Sequence, residues 1–459
     1  MKTIVNPNGK IHLVIGKQKK KDVEYRLMKY LLRVEVEDGV LLHNIISGCM
    51  VYLPLSEWPM KDGLPQCCTS DMDKLIEGYF LVPTDFDEYE FVRGLRQVLQ
   101  LIERNKQKPV TKYTILPTTC CNAHCFYCYE SEVIKKTMSK KTAGEVADFI
   151  CDNCGGEPIE ISWFGGEPTL GESQIDIICS LLKAREIEYR SSMISNGYLF
   201  TPELVDKAVN EWKLDGIQIT LDGTEEVYNR TKSFNVRGSA YRRVLDNIGL
   251  LLDAGVHVII LLNVDYYNIS DLYTLAEELS KAFPERENLR VTSHVLFNDA
   301  GYETVHHSNS EAEELAVKNH ELVEYMQKIG LNADVIGGRK RRQSLPTLKY
   351  LYCMVHNNGS VVIDPEGNFH KCEHVNKNLS SSSGLSKGWF SEEETNKWFS
   401  FIEYEKCREC LLYPNCLVPE CCENYAGCYP VNVEECVEQY RSSAWNIYQD
   451  FVVNDEEVL

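Results

Sequence analysis

The stretch PTTCCNAHCFYCYE, Pro117 to Glu130, places four cysteines in nine residues: Cys120, Cys121, Cys125 and Cys128. The chain has 459 residues, 19 of them cysteine, and an odd count cannot pair off completely. The start, MKTIVNPNGKIHLVIGKQKKKDVEYR, alternates short apolar runs with charge and lacks the apolar core of a signal peptide. No run approaches the ~20 apolar residues that span a bilayer. The expectation is a soluble, cytoplasmic chain, where disulfides are disfavoured. The spacing Cys121-x3-Cys125-x2-Cys128 supplies three thiolates. A structural zinc site is normally closed by a fourth ligand, and His124 would be cramped between two others. Iron–sulfur clusters take thiolates, usually four, so three would leave one iron open. On these residues alone zinc and iron–sulfur both stand.

Around the stretch, from Thr111, a regular strand–helix alternation begins. The strands are KYTIL, IEISWF, YRSSMIS, GIQITLD, VHVIILLNV and NLRVTSHVLF. Between them lie amphipathic segments, among them TPELVDKAVNEW, with Thr201-Pro202 as helix start, and YRRVLDNIGLLLDAG, with Gly255 as stop. Six such units predict an α/β fold with a parallel sheet, open or curled into a partial (β/α)6 barrel. The loops after the strands gather at one end, where sites of such sheets lie.

Residues 1–108 read as a small α+β N-terminal domain. IVNPNGKIHLV predicts a hairpin closed around Asn-Gly. A later helix would bury Phe91, Leu95, Val98 and Leu101 on one face. The core spans 109–300, and 301–350 is a polar connection with one helix. The cysteine-rich region 351–459 contains the hairpin VVIDPEGNFHKC and a terminal helix.

The cysteine spacing, its place after the first strand and Tyr127 closely resemble the signature of the radical S-adenosylmethionine (SAM) superfamily. In that family SAM chelates the open iron and the aromatic lies near the adenine. Further matches follow in order over about residues 111–300. WFGGEP resembles the Gly-Gly-Glu-Pro motif, with Gly165, Gly166 and Glu167 at the SAM amino group. ISNGYLF resembles the segment whose Ser195 and Asn196 hold the ribose or carboxylate. ITLDGTEEVYNRTK resembles the fourth-strand segment contributing Asp222 and an arginine, Arg230, toward the carboxylate. LLNVDYYN places Asn263 at the fifth-strand position. Singly, each has a plain explanation as a turn, cap or solvated charge; their collinear order carries the resemblance.

The C-terminal cysteines resemble the SPASM extension of such enzymes, which binds two auxiliary four-iron clusters. The resemblance assigns Cys353, Cys372 and either Cys421 or Cys422 to the first, with Cys428 or His370 as alternative closures. It assigns Cys407, Cys410, Cys416 and Cys436 to the second. A zinc ribbon is the alternative. Cys49, Cys67, Cys68, Cys151, Cys154 and Cys179 read as core or incidental thiols. Cys120 reads as a buried thiol or a hydrogen-atom donor.

The resemblance implies an oxidoreductase with a SAM-coordinating four-iron cluster, two auxiliary clusters and an electron donor such as flavodoxin or ferredoxin. It also implies a peptide maturase that installs thioether or carbon–carbon crosslinks on a ribosomally made precursor. The N-terminal region would then grip a leader peptide, or only pack on the core. Alternatives are an anaerobic sulfatase-maturating (formylglycine-generating) enzyme and a non-catalytic electron-transfer protein. The net charge of −20 argues against nucleic acid and anionic membranes as partners. The basic runs Lys19–Lys21 and Arg339–Arg342 read as solvated loops, or as holds for acidic leader side chains.

Overall fold

Strands such as Ile159–Gly165, Tyr189–Ser195 and His257–Val264 alternate fully buried with less buried residues, so one face of the sheet they form lies in the core. The computed structural model describes all residues except 59, 62, 107, 237, 297–308, 336–344, 352, 376, 419, 421–432 and 457–459. The chain divides into two compact units, one of residues 107–339 and 357–395, the other of 1–106, 340–356 and 396–459.

The first unit contains β1 (Lys112–Thr118), β2 (Ile159–Gly165), β3 (Tyr189–Ser195), β4 (Leu214–Thr220), β5 (His257–Val264) and β6 (Leu289–Val295), the six strands expected. Neighbours pair in parallel and in sequence order. Two further parallel strands extend the sheet: β7 (Ala333–Val335) beside β6, and β8 (Ser360–Ile363) beside β1. β9 (Phe369–His370) closes the expected hairpin on β8 around Gly367, whose φ is +80°. The helices are α1 (Lys140–Asn153), α2 (Glu172–Ala184), α3 (Pro202–Asn210), α4 (Glu225–Lys232), α5 (Ala240–Asp253), α6 (Ile269–Ala282) and α7 (Asn309–Lys328). The Thr201 side chain accepts from Leu204 N–H and opens α3. Past α5, Gly255 takes φ +84° and Val256 N–H returns to the Leu251 carbonyl. One continuous core holds Tyr113, Trp163, Trp212 and Tyr228 with the aliphatic strand residues. This is the sheet of a partial (β/α)6 barrel.

The second unit departs from expectation in three ways. The hairpin at Asn8-Gly9 does not form. Asn8 Oδ1 accepts from the N–H groups of Lys10 and Ile11, capping a helix Gly9–Ile15, while Lys2–Val5 pairs with Met50–Pro54 instead. The helix Glu88–Arg104 buries Val92, Leu95, Arg96 and Leu99, leaving Val98 and Leu101 exposed. Its buried stripe also carries Glu88 and Glu103, which are hidden through pairing with Arg26 and with Lys10 and Lys106. An apolar-only reading therefore selects the wrong face. Finally, the antiparallel sheet of Lys2–Val5, Met50–Pro54, Gly39–Asn44 and Leu31–Val36 packs Leu32, Leu41 and Met50 on Val437, Tyr440 and Ala444 of the terminal helix Val433–Glu456. Among the described residues no helix is long and apolar enough to cross a membrane.

Candidate active site

The loop after β1 is stapled at its base. Thr119 N–H donates to the Lys136 carbonyl, Thr119 Oγ1 donates to the Ile134 carbonyl, and Thr118 and Thr137 form a bridge. Within it Cys121, Cys125 and Cys128 are half-buried, while His124 is exposed. Burial pushes the Cys121 thiol up to about 11, against an N–H from Ala123 to its sulfur, and the Cys125 and Cys128 charges raise it further. Burial likewise raises Cys125 and Cys128. Held as free thiols, these groups resist ionisation, so their thiolates need a positive partner such as iron.

The Gly165–Glu167 turn docks on the chain entering this loop. A Cβ on Gly165 would lie 2.3 Å from the Thr118 carbonyl oxygen, and one on Gly166 2.3 Å from that of Cys120. The atoms that demand glycine here are thus protein backbone. Glu167 N–H donates to the Cys120 carbonyl at 2.8 Å, which gives Cys120 a backbone part in the docking. Its own thiol is half-buried, with Thr137 Oγ1 at 3.9 Å.

Glu167 is fully buried. Its carboxylate accepts from Thr169 N–H and Oγ1, from Ser195 Oγ at 2.9 Å and from Asn196 N–H at 2.8 Å. Burial still raises its pKa against these four donors. Four donors occupy about the full acceptor capacity of a carboxylate, so Glu167 ties the ends of β2 and β3 together. Asn196 reaches from β3 to the cysteine loop, donating to Asn122 Oδ1 at 2.7 Å with Cys121 Sγ 3.9 Å away.

After β4, Asp222 is fully buried and accepts from Tyr127 Oη at 2.5 Å, with Lys232 Nζ at 3.1 Å. Lys232 also donates to Tyr127 Oη at 2.6 Å, and its carbonyl accepts from His124 N–H. Burial alone would lower the Lys232 pKa, but Asp222, Cys125 and Tyr127 hold it well above the usual value. Lys232 is the buried cation of α4, whereas Arg230 is exposed. Positions 228, 231 and 232 share one helical face and 230 does not, a periodicity that points to Lys232 from sequence. Asn263 is buried at the end of β5. Asn268, which sequence reasoning passed over, donates to both the Asn263 and Asp222 carbonyls.

The ends of four successive strands, β2 to β5, thus supply the glycine turn, Ser195, Asn196, Asp222 and Asn263 behind the three thiols that follow β1. Asp222 Oδ1 and Asn122 Nδ2 are buried without a hydrogen-bond partner, as befits walls that a polar ligand completes. The donor set fits a four-iron cluster carrying SAM. Among the described residues, no three His, Cys, Asp or Glu side chains converge as ligands of a single metal ion.

In the other unit, Cys407 and Cys410 lie on a turn around Glu405–Arg408, and Cys416 follows the turn Tyr413–Asn415. All three are half-buried, and Tyr404 N–H donates to Cys407 Sγ at 3.3 Å. Cys353 is exposed and its N–H meets His356 Nδ1 at 3.5 Å. Cys372 lies in the first unit, where it follows β9 and is half-buried; the nearby His370 ring pairs with Asp364 at 2.8 Å. Cys421, Cys422, Cys428 and Arg339–Arg342 lie outside the described residues, as does the Cys436 side chain. Lys19–Lys21 are exposed, with Lys20 paired to Asp73. Cys154 and Cys179 are buried, Cys68 is exposed, and Cys49, Cys67 and Cys151 are half-buried.

Residues 115–279 match the family model described as the Radical SAM superfamily. No curated protein matches the chain in sequence. Among solved structures, Streptococcus suis SuiB bound to S-adenosylmethionine is 16% identical with a TM-score of 0.52, covering 90% of this chain and 98% of its own. Native anSMEcpe with bound AdoMet is 16% identical with a TM-score of 0.54, covering 76% of this chain and 100% of its own. SuiB bound to precursor peptide SuiA covers 88% of this chain at a TM-score of 0.53. The superfamily implies a four-iron cluster and SAM, which the thiol triad and the strand ends behind it fit. Residues 115–279 are a radical SAM domain, and the chain is a radical SAM enzyme.

Proposed function

We propose that this enzyme is a maturase that modifies a ribosomally made precursor peptide, forming a thioether or carbon–carbon crosslink. Cys121, Cys125 and Cys128 would hold a four-iron cluster, with SAM against the strand ends behind them; once supplied with an electron by the external reductant, the pair would provide hydrogen-atom abstraction from the substrate. The chain's own residues hold and shield this chemistry. Asn196 fixes the cysteine loop through Asn122, Glu167 locks β2 to β3, and the Lys232–Asp222–Tyr127 group sets a charged, buried wall. Asn263, Asp222 and Ser195 line the strand ends toward the SAM side; Arg230, the cation expected there, is exposed, and Lys232 is the cation in reach of that wall. The C-terminal cysteines are proposed to hold two auxiliary clusters, which suit a reaction that removes a further electron from the substrate. Flavodoxin or ferredoxin is the proposed reductant.

The observation that carries the peptide reading is coverage. The SuiB likeness extends over nine-tenths of the chain, whereas that of anSMEcpe leaves about a quarter without a counterpart. A sulfatase-maturating reading has no use for that additional chain, whereas a peptide maturase would use it, and we assign leader engagement to the N-terminal region. Both kinds of structure have been captured with peptides, SuiA on SuiB and Cp18Cys on anSMEcpe.

The test is anaerobic coexpression with small open reading frames encoded beside the enzyme, followed by intact-mass analysis. Loss of two hydrogens per modification, dependent on SAM and on Cys125, supports crosslinking. Formylglycine on a sulfatase-derived peptide with no change in any precursor would replace it with the sulfatase reading. Absence of 5′-deoxyadenosine from dithionite-reduced, iron-loaded protein would exclude both.

A further inference from the structure

Arg96 sits midway along Glu88–Arg104, only 5% exposed, among the side chains that pack this helix. Its Nε–H donates to the Lys349 carbonyl at 3.1 Å. Its Nη2 donates to the carbonyls of Tyr413, of Pro414 at 3.1 Å and of Cys416 at 2.6 Å. The guanidinium lies 4.3 Å from the centre of the Tyr413 ring. Every acceptor is neutral. Among the described residues no carboxylate reaches Arg96; Glu403, which acts on it through space, accepts instead from Tyr413 and Tyr89.

A buried charge with only carbonyl dipoles around it is expensive, and an anion relieves that cost. Two groups beside Arg96 can be anionic: Glu403, which acts on it through space and is already taken up by Tyr413 and Tyr89, and the thiol cluster. A cavity of about 180 Å³ is lined by Arg93, Arg96, Glu403, Cys407, Tyr413 and Cys416. Three of the four carbonyls that Arg96 grips, those of Tyr413, Pro414 and Cys416, belong to the stretch from Cys410 to Cys416, so one side chain sets both the path of that turn and the charge beside it. Four-iron clusters held by thiolates carry net negative charge, and their potentials follow local charge and hydrogen bonding to sulfur.

We propose that Arg96 is a positioning residue for the auxiliary cluster of the Cys407–Cys416 loop, and that its fixed positive charge raises that cluster's reduction potential. This rests on the auxiliary-cluster reading above. The N-terminal region is then part of the cluster's housing, whatever else it binds.

The test uses the full chain, reconstituted anaerobically, with iron and sulfide counted and the reduced clusters titrated potentiometrically by electron paramagnetic resonance. The signal lost in a Cys407→Ala/Cys416→Ala variant identifies the auxiliary cluster, and the signal lost in Cys125→Ala identifies the other. In Arg96→Gln, which keeps donors but loses charge, the auxiliary midpoint falls and the other signal is unmoved. In Arg96→Lys, which keeps the charge, iron content and midpoint stay near wild type. An unchanged midpoint in Arg96→Gln overturns the proposal. Equal loss of the cluster from both variants reduces Arg96 to a loop anchor and also overturns it. If Cys407→Ala/Cys416→Ala loses no iron, the auxiliary-cluster reading itself has failed, and Arg96 falls with it.

Discussion

The two cysteine regions of this enzyme are built in opposite ways. Cys121, Cys125 and Cys128 share one short loop, stapled at its base and braced by the ends of neighbouring strands of a single sheet. Cys407, Cys410 and Cys416 also lie close in sequence. Their loop, however, is held by Arg96, some three hundred residues earlier, and by packing on Tyr30, Val92 and Leu348. The first site is local in sequence and completed by a repetitive fold. The second depends on distant segments meeting. Perturbations should therefore separate them.

The largest expected effect is on the first site. Cys125→Ala should abolish 5′-deoxyadenosine formation and remove about four irons per chain while leaving the remainder bound; iron analysis and SAM-cleavage assays check this. Next, Lys232→Met strands Asp222, buried and charged, beside Tyr127. It should destabilise the first unit by about 3–5 kcal/mol in anaerobic urea unfolding, much of it recovered when Asp222→Asn is added. Gly166→Ala should cost about 1–3 kcal/mol, because the new methyl meets the Cys120 and Thr119 carbonyls. Iron should then be lost from the first site and retained at the second.

The last expected effect is confined to a pH window and concerns the second unit. Burial lowers the His43 pKa to about 4, against the hydrogen bond its Nε2–H donates to the Pro346 carbonyl. The folded form takes up its proton less readily than the unfolded chain, whose histidine titrates near 6.5. Between those values the unfolded state binds more protons, so stability is fully present above about 6.5 and declines as pH falls toward about 4. The slope is about 1.4 kcal/mol per pH unit for one group. His43→Leu should flatten it in urea midpoints measured across that window, with the first unit unaffected.

The same contrast explains what the sequence made legible. The six strands and the thiol triad were readable because hydrophobic period and cysteine spacing are short-range signals. Lys232 escapes a reading by residue type, which selects the arginine at 230; the helical face shared with Tyr228 is the signal that points to it. Arg96 escapes a reading of this helix by its apolar residues, and the stripe it shares with Val92 and Leu99 lies one position from Phe91 and Val98. The Asn8 cap was mistaken for a turn because Asn-Gly serves both uses. The pairing of Ser360–Ile363 with Lys112–Thr118 leaves no local trace at all.

The seating of the N-terminal sheet on the terminal helix has a consequence for biosynthesis. Leu32, Leu41 and Met50 emerge from the ribosome long before Val437, Tyr440 and Ala444, which cover them. At about 5–20 residues per second, that apolar face waits tens of seconds for its cover while the parallel sheet is completed first. The order of synthesis thus favours a finished SAM-binding unit before the second cysteine loop closes. A nascent chain stalled short of residue 433 would be a natural client for chaperones.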